Sequence, residues 1–388
     1  MSLMSKFTTV LCAWVGLSAG APAPDYPASA RALDASIQES YAYPEKLPGG
    51  ILPQSEKLDE KRTAVRDANS LLRYAEDRML SLTDHHAITG SSFKNSWAVI
   101  PTYTDLWIIN RDGRFVVDAV REGSPAAHAG IEPGNVLVAV DRVDTTSAVR
   151  AFWSELGLAV TPSRADFSAR VLVAGRRDRD RHLSIADTTG KVRQLTLPSF
   201  YSVAPERRHP LTISSVGKRN IIRFNNSLGD DAAIAAFDEA MQRIPLNYEV
   251  VLDLRDTPSG GNTTIARAVM GWFTNRPHGY QVHNRPAEER ATGIARQWIE
   301  QVLPRRGKFQ KRLPTIWVGR WTGSMGEGLA IGFASMGAAV RGGPMAGLNG
   351  SVEDIRIGDT DMSVKLPTER LMTTGYQPRE GFQPKPMR

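Results

Sequence analysis

Residues 321–332 read WTGSMGEGLAIG. A serine stands among glycines, directly before a run with helical spacing. The residues just upstream, PTIWVG (314–319), have the composition of a buried strand. A strand, a glycine-rich turn and a helix in this order place Ser324 at a helix N-terminus, where backbone N–H groups lack intrahelical partners. Such a serine has two readings. It caps the helix, or it is a nucleophile whose developing oxyanion is held by those N–H groups. A nucleophile needs a base, because an unassisted hydroxyl is a poor one.

The pattern repeats upstream. YEVVLDLR (248–255) reads as a buried strand, TPSGGN (257–262) as a turn, and TTIARAVMGWF (263–273) as a helix. Over 201–388 strands and helices alternate, with NIIRFNN (220–226) as a further strand and DDAAIAAFDEAMQRI (230–244) as an amphipathic helix capped by Asp230 or Asp231. Alternation of this kind implies an α/β domain with a largely parallel sheet. Both glycine turns then lie at the carboxyl ends of strands, where ligands bind in such sheets. Gly260 or Gly261 in the first turn lets its backbone approach the second closely. The N–H groups of Gly260 and Met325 are the expected oxyanion donors. Ser324 is not in a G-x-S-x-G elbow, because Thr322 stands where that motif has glycine. Neither phosphate-loop pattern, G-x-x-x-x-G-K-[ST] or G-x-G-x-x-G, occurs.

The preceding residues, 97–200, read as β-rich. RFVVDAV (114–120) is a strand, and EGSPAAHAGIEPGNVLVAVDRV (122–143) gives a turn, a short helix closed by Gly130, a Pro-Gly turn and a strand. TSAVRAFWSEL is expected as a short helix, and ARVLVAG and KVRQLTL as strands. Residues 55–82 have helical spacing, whereas the Pro, Ala and Gly content of 24–50 suggests an extended linker. Residues 1–23 combine Lys6, an apolar run from Phe7 to Ala19 and small residues at 19, 21 and 23, the pattern of a secretory signal peptide. The run is short for a membrane span. Its removal would lower the formal charge from +7 by the one lysine, to +6. Leu11 before Cys12 does not suit a lipoprotein cleavage site.

The 388 residues are 41% hydrophobic and 23% charged, an ordinary globular composition. The positive charge does not argue for nucleic acid. No Lys/Arg stripe interleaves with aromatics, and GRRDRDRH (175–182) alternates in sign as a solvated loop or hairpin does. Cys12 is the only cysteine, which excludes an intramolecular disulfide and a cysteine metal site. His278 and His283 are five residues apart, not an i, i+4 pair, and suggest no metal site. Neither a metal nor an organic cofactor is expected.

Three segments together resemble a known family. FVVDAVREGSPAAHAGIEPGNVLVAVDRV is similar to a PDZ domain, VVLDLRDTPSGGN to the D-L-R-x-N-P-G-G turn of the tail-specific (C-terminal-processing) serine peptidases, and TGSMGEGLAIGFASMGAAVRGGPMAGLNGSVEDI to their nucleophile helix. The resemblance spans residues 55–388 and implies a crotonase/ClpP-like catalytic domain over 201–388, a PDZ-like domain over 97–200 and a linker with a helical region over 24–96. It implies that Ser324 is the nucleophile. The bacterial members use a lysine in a G-K-G context as the base, whereas AGLNGSV (346–352) has Asn349 there. The tricorn-core branch uses a histidine in a D-x-H segment after a helix, and Asp84-His85-His86 matches it. The resemblance therefore implies His86 as base, with His85 where that branch has an orienting serine, and Glu380 as a residue that positions or polarises the site. His283 is the reserve base. Gly261, Asn349 and Glu327 are further candidates to line the site, and His128 is expected to be structural or peptide-facing.

The expected partner is a peptide or protein, held by strand addition at the PDZ-like module, although PTYTDLWII (101–109) lacks a clear G-x-G carboxylate loop. No nucleic acid and no membrane span after signal removal are expected, and an oligomer is compatible with the sequence. The family reading implies a secreted or periplasmic serine peptidase. Its rivals are a pseudo-peptidase that only binds peptides and a hydrolase of non-peptide acyl substrates.

Overall fold

A computed structural model describes residues 23–203, 209–225 and 228–387. The expected signal segment, 1–23, lies outside the described residues save for Ala23.

The first unit is helical. Tyr26–Ser40 (α1), Glu56–Thr63 (α2) and Ala68–Ser81 (α3) lead into the short strand Ile88–Thr89 (β1). Residues 26–40 are thus not the extended linker that their composition suggested. Asp25 caps α1 at the N–H of Ala28, and Ala30, Leu33 and Ile37, at helical spacing, are fully buried. Only 41–50 lacks regular structure, and it is pinned in 3-10 turns, Pro44–Lys46 and Pro48–Gly50. The helical stretch 55–82 is split because Asp67 starts a new helix with a capping box to Ser70.

The second unit is an antiparallel sheet in the order β2-β3-β4-β6-β7, from Leu106–Arg111 (β2), Arg114–Val120 (β3), Val136–Val140 (β4), Arg181–Ala186 (β6) and Val192–Leu197 (β7), with Val143–Asp144 (β5) against β4. Helices Pro125–His128 (α4), Thr145–Ser154 (α5) and Pro162–Ala174 (α6) cover it. ARVLVAG, expected as a strand, is the end of α6. Thr161 caps that helix with Pro162 at its first position, and the apolar run VLVA is buried all round. Such runs fit a buried helix as well as a strand.

After the short helix Phe200–Val203 (α7), the third unit has two sheets. The first runs β14-β13-β10-β9-β8, from Leu211–Val216 (β8), Arg219–Phe224 (β9), Glu249–Asp253 (β10), Thr315–Val318 (β13) and Ala339–Gly342 (β14). Its last four strands are parallel. Helices Ala232–Arg243 (α8), Thr263–Met270 (α9) and Met325–Ser335 (α11) connect them. The second sheet joins β1 to Ser363–Met372 (β16), His278–Asn284 (β11) and Gln297–Val302 (β12), with Ser351–Arg356 (β15) on β16 and Pro286–Thr292 (α10) between β11 and β12. Among the described residues no helix is long and apolar enough to cross a membrane.

The units share cores. Ile357, Val364 and Leu366 of the third unit pack with α1 and α3, while Trp321, Ala346 and Leu348 pack in the core of the second. Trp321 leads the turn that holds Ser324, and its indole Nε1 donates to the Thr104 carbonyl at 2.7 Å. Arg121 of the second unit pairs with Asp256 at 2.7 Å, and Arg320 with Asp118 at 2.7 Å. The turn that holds Ser324 is therefore braced by the second unit. Trp321→Ala removes a buried ring and is expected to cost about 3–5 kcal/mol. Urea unfolding would measure that loss, and a cost below about 1 kcal/mol would show that the brace is not structural.

Candidate active site

The pairing of β10 with β13 continues past both strands. Thr257 N–H donates to the Trp321 carbonyl at 2.9 Å, and Gly323 N–H to the Thr257 carbonyl at 3.1 Å. This brings the two glycine turns together. A Cβ on Gly260 would lie 2.4 Å from Ser324 Cβ, and Gly260 has φ of +66°. Only glycine fits both demands. Ser324 itself has φ of 51° and ψ of −114°, a strained conformation for a side-chain-bearing residue. Among the described residues the N–H groups of Met325 and Gly260 have no acceptor.

The strained turn is held from below by Glu327, one helical turn along α11. Its carboxylate is fully buried and accepts from the N–H groups of Ser324 at 2.9 Å, Gly347 at 2.9 Å and Leu348 at 3.3 Å. Burial pushes its pKa up to about 7, against the pull of Arg379 and those three donors. Arg379, also buried, lies 3.9 Å from this carboxylate and donates to the carbonyls of Leu348 and Gly350 at 3.0 and 2.7 Å. The loop 346–350 is thus fixed from two sides.

That loop holds the histidine. His86 Nδ1 lies 2.6 Å from the Asn349 carbonyl oxygen, which can only accept, so Nδ1 carries the proton. Nε2 is then a free acceptor, and Ser324 Oγ lies 3.0 Å from it. Burial lowers the His86 pKa to about 4 in spite of the Asn349 carbonyl, so the ring is neutral near pH 7. Asp84 Oδ1 accepts from the His86 backbone N–H at 2.9 Å, and Oδ2 accepts from Tyr41 Oη–H and Asn349 Nδ2–H, both at 2.8 Å.

Glu380 does not touch His86 or Ser324. Its Oε1 pairs with Lys46 Nζ at 3.5 Å, and Lys46 also donates to the Asn349 side-chain oxygen. His85 turns away, stacks on Phe167 at 4.3 Å and lies 3.5 Å from an Arg170 nitrogen, so it takes no orienting role. His283, the reserve base, is bound on both nitrogens by Glu369 at 2.9 Å and Glu300 at 3.1 Å. Burial would lower its pKa, but the two carboxylates outweigh burial and hold it above the ordinary value. Its ring nitrogens are therefore committed, and it does not face Ser324. Gly261 forms a bridge with Leu228 rather than facing the serine. His128 ends α4, remote from these groups. Sequence reasoning missed Tyr41, Tyr43, Lys46 and Arg379, whose chain positions gave no signal. Among the described residues no cluster of three or more His, Cys, Asp or Glu suits a metal.

The outer edge of β2, where a peptide strand would add, is filled from within. Asn110 N–H donates to Asp166 of α6 at 2.5 Å, and Arg170 Nε donates to the Ile108 carbonyl at 3.0 Å. A peptide adding there has to displace both side chains.

Residues 116–150 match the PDZ domain. The photosystem II D1 C-terminal processing protease superimposes with a TM-score of 0.57 over 94% of both chains at 14% identity. The chain has the fold of a C-terminal processing protease. Mature CPAF gives 0.57 over 93% of this chain and 92% of its own at 14% identity, and its complex with lactacystin gives 0.56 at 13%. A search of curated protein sequences found no match. The fold is thus the mixed α/β architecture with a PDZ domain that the sequence resemblance implied.

Glu327 gives a test of the geometry alone. An unfolded glutamate loses its proton near pH 4.5, whereas the folded one keeps it to about pH 7. The unfolded state therefore binds fewer protons in this window, and folding stability falls as pH rises through it, by roughly 3 kcal/mol. His86, with a lowered pKa, acts in the opposite sense and is present in both proteins of a wild type versus Glu327→Gln comparison. The stability difference between the two should shift by that amount between pH 4.5 and 7. A difference independent of pH would contradict the buried carboxylate.

Proposed function

We propose that this protein is a serine peptidase of the tail-specific/tricorn-core type that uses a histidine base. The observation that carries this reading is the 3.0 Å contact of Ser324 Oγ with His86 Nε2, together with the Asn349 carbonyl that fixes the proton on Nδ1. The fold shared with processing proteases supports it.

In this mechanism the Ser324 hydroxyl attacks the peptide carbonyl carbon as His86 Nε2 takes its proton. The carbonyl oxygen becomes an oxyanion between the N–H groups of Met325 and Gly260, each worth roughly a factor of 10²–10³ in rate. His86 returns the proton to the leaving amine, leaving an acyl group on Ser324. Water, deprotonated by His86, then releases the acid. Glu327 keeps the strained turn and the 346–350 loop together but does not touch the reacting atoms. The partner at Nδ1 is a neutral carbonyl, so the imidazolium formed during attack is stabilised less than by a carboxylate. The substrate class is a peptide or protein, and the leader-like residues 1–23 support a secreted or periplasmic site of action.

The test is labelling with a fluorophosphonate serine probe. Wild type should label at Ser324, and Ser324→Ala and His86→Ala should each abolish labelling. Retention in His86→Ala would overturn the base, and no labelling of wild type would favour the peptide-binding reading. Gly260→Ala should lower the labelling rate by about 10²-fold or more, because the added Cβ collides with Ser324 and displaces an oxyanion donor. The wild-type rate should fall to half near pH 4, where His86 becomes protonated, and not near 6.5. A half-point at 6.5 would show an ordinary, solvated imidazole.

A further inference from the structure

The segment 41–46, YAYPEK, connects the first unit to the site and has no role in the reading above. Tyr41 donates to Asp84 at 2.8 Å. Lys46 Nζ donates to the Asn349 side-chain oxygen, lies 3.5 Å from Glu380 Oε1 and sits 4.6 Å from the centre of the Tyr43 ring. Every polar group of Asn349 that bears on the base is thereby committed. Its main-chain oxygen holds His86 Nδ1, its amide nitrogen holds Asp84, and its amide oxygen is held by Lys46. The Lys46 contact fixes the side chain of Asn349, the residue whose main-chain carbonyl holds His86 Nδ1. Glu380 alone would not hold it, because a carboxylate and an amide oxygen are both acceptors. A cation between them is the group that lets the two face each other.

We infer that Lys46 is a positioning residue for the base: it clamps Asn349 against His86 and joins Glu380 to the site. The inference rests on the histidine-base reading and extends it to a residue from the first unit. Lys46 touches no reacting atom, so its effect passes through Asn349. The charged groups that act on the His86 ring are Arg379, which disfavours its protonation, and Asp84, which favours it; Glu327 lies under the loop, and Lys46, Glu380 and Tyr43 lie one step further out, beyond the Asn349 side chain. Loss of Lys46 removes one cation and leaves the Glu380 carboxylate uncompensated. Both changes favour the protonated ring.

Two readouts on Lys46→Met and Lys46→Arg decide the matter. In ¹⁵N-histidine NMR, with His86 assigned by its absence in His86→Ala, wild type should show one neutral tautomer with the proton on Nδ1. Lys46→Met should show mixed tautomers and a midpoint raised by about half a pH unit or more. Lys46→Arg, which keeps the donor and the charge, should restore the wild-type spectrum. In parallel the fluorophosphonate labelling rate should fall about tenfold in Lys46→Met and recover in Lys46→Arg, with unchanged melting temperature. A Lys46→Met protein with the wild-type tautomer, midpoint and labelling rate would overturn the inference. Because the NMR readout needs no turnover, a wild type that fails to label would count against the peptidase reading and leave the Lys46 inference to be decided by the spectra.

Discussion

The geometry depends on one buried carboxylate. Glu327 binds the N–H of the serine and the N–H groups of two residues in the loop that holds the histidine. The turn that holds Ser324 and the loop that holds His86 are separated in sequence by helix α11 and strand β14, and this side chain joins them. An unpaired buried carboxylate would be costly. Here the three donors and the nearby Arg379 offset part of that cost, and the burial they leave uncompensated holds the pKa up at about 7. The strained backbone of Ser324 is held by the same contact.

Above this carboxylate the site is assembled from all three units. The third supplies Ser324, the glycine turn and Asn349. The first supplies His86, Asp84, Tyr41 and Lys46. The PDZ-bearing unit braces the nucleophile turn through Trp321 and Arg121. Its own outer edge strand is filled by Asp166 and Arg170. In this conformation backbone groups along the β2 edge are bound by these two side chains.

Much of this was legible in the sequence. The strand–turn–helix repeats around Gly260 and Ser324 carry strong periodicity, and the structure places both turns at the ends of parallel strands. Asp-x-His could be singled out only by resemblance, since a histidine after a helix has no local signature. The arm 41–46 was hidden for a physical reason. It sits in a Pro-, Ala- and Gly-rich stretch that reads as a linker, while Lys46 meets Asn349, a residue 303 positions along the chain. The end of α6 was misread because its apolar run 171–174 is buried all round and so shows no amphipathic period. Glu380 was expected to position the site, but its side chain pairs with Lys46 and touches neither His86 nor Ser324, a placement that spacing could not give.

The most direct test of the account is a crystal structure of the protein after reaction with a fluorophosphonate. The account predicts a phosphonyl group on Ser324 Oγ, with its free oxygen within about 3 Å of the N–H groups of Met325 and Gly260 and His86 still bound to the Asn349 carbonyl. A phosphonyl group on another residue, or its oxygen turned away from these two donors, would contradict it.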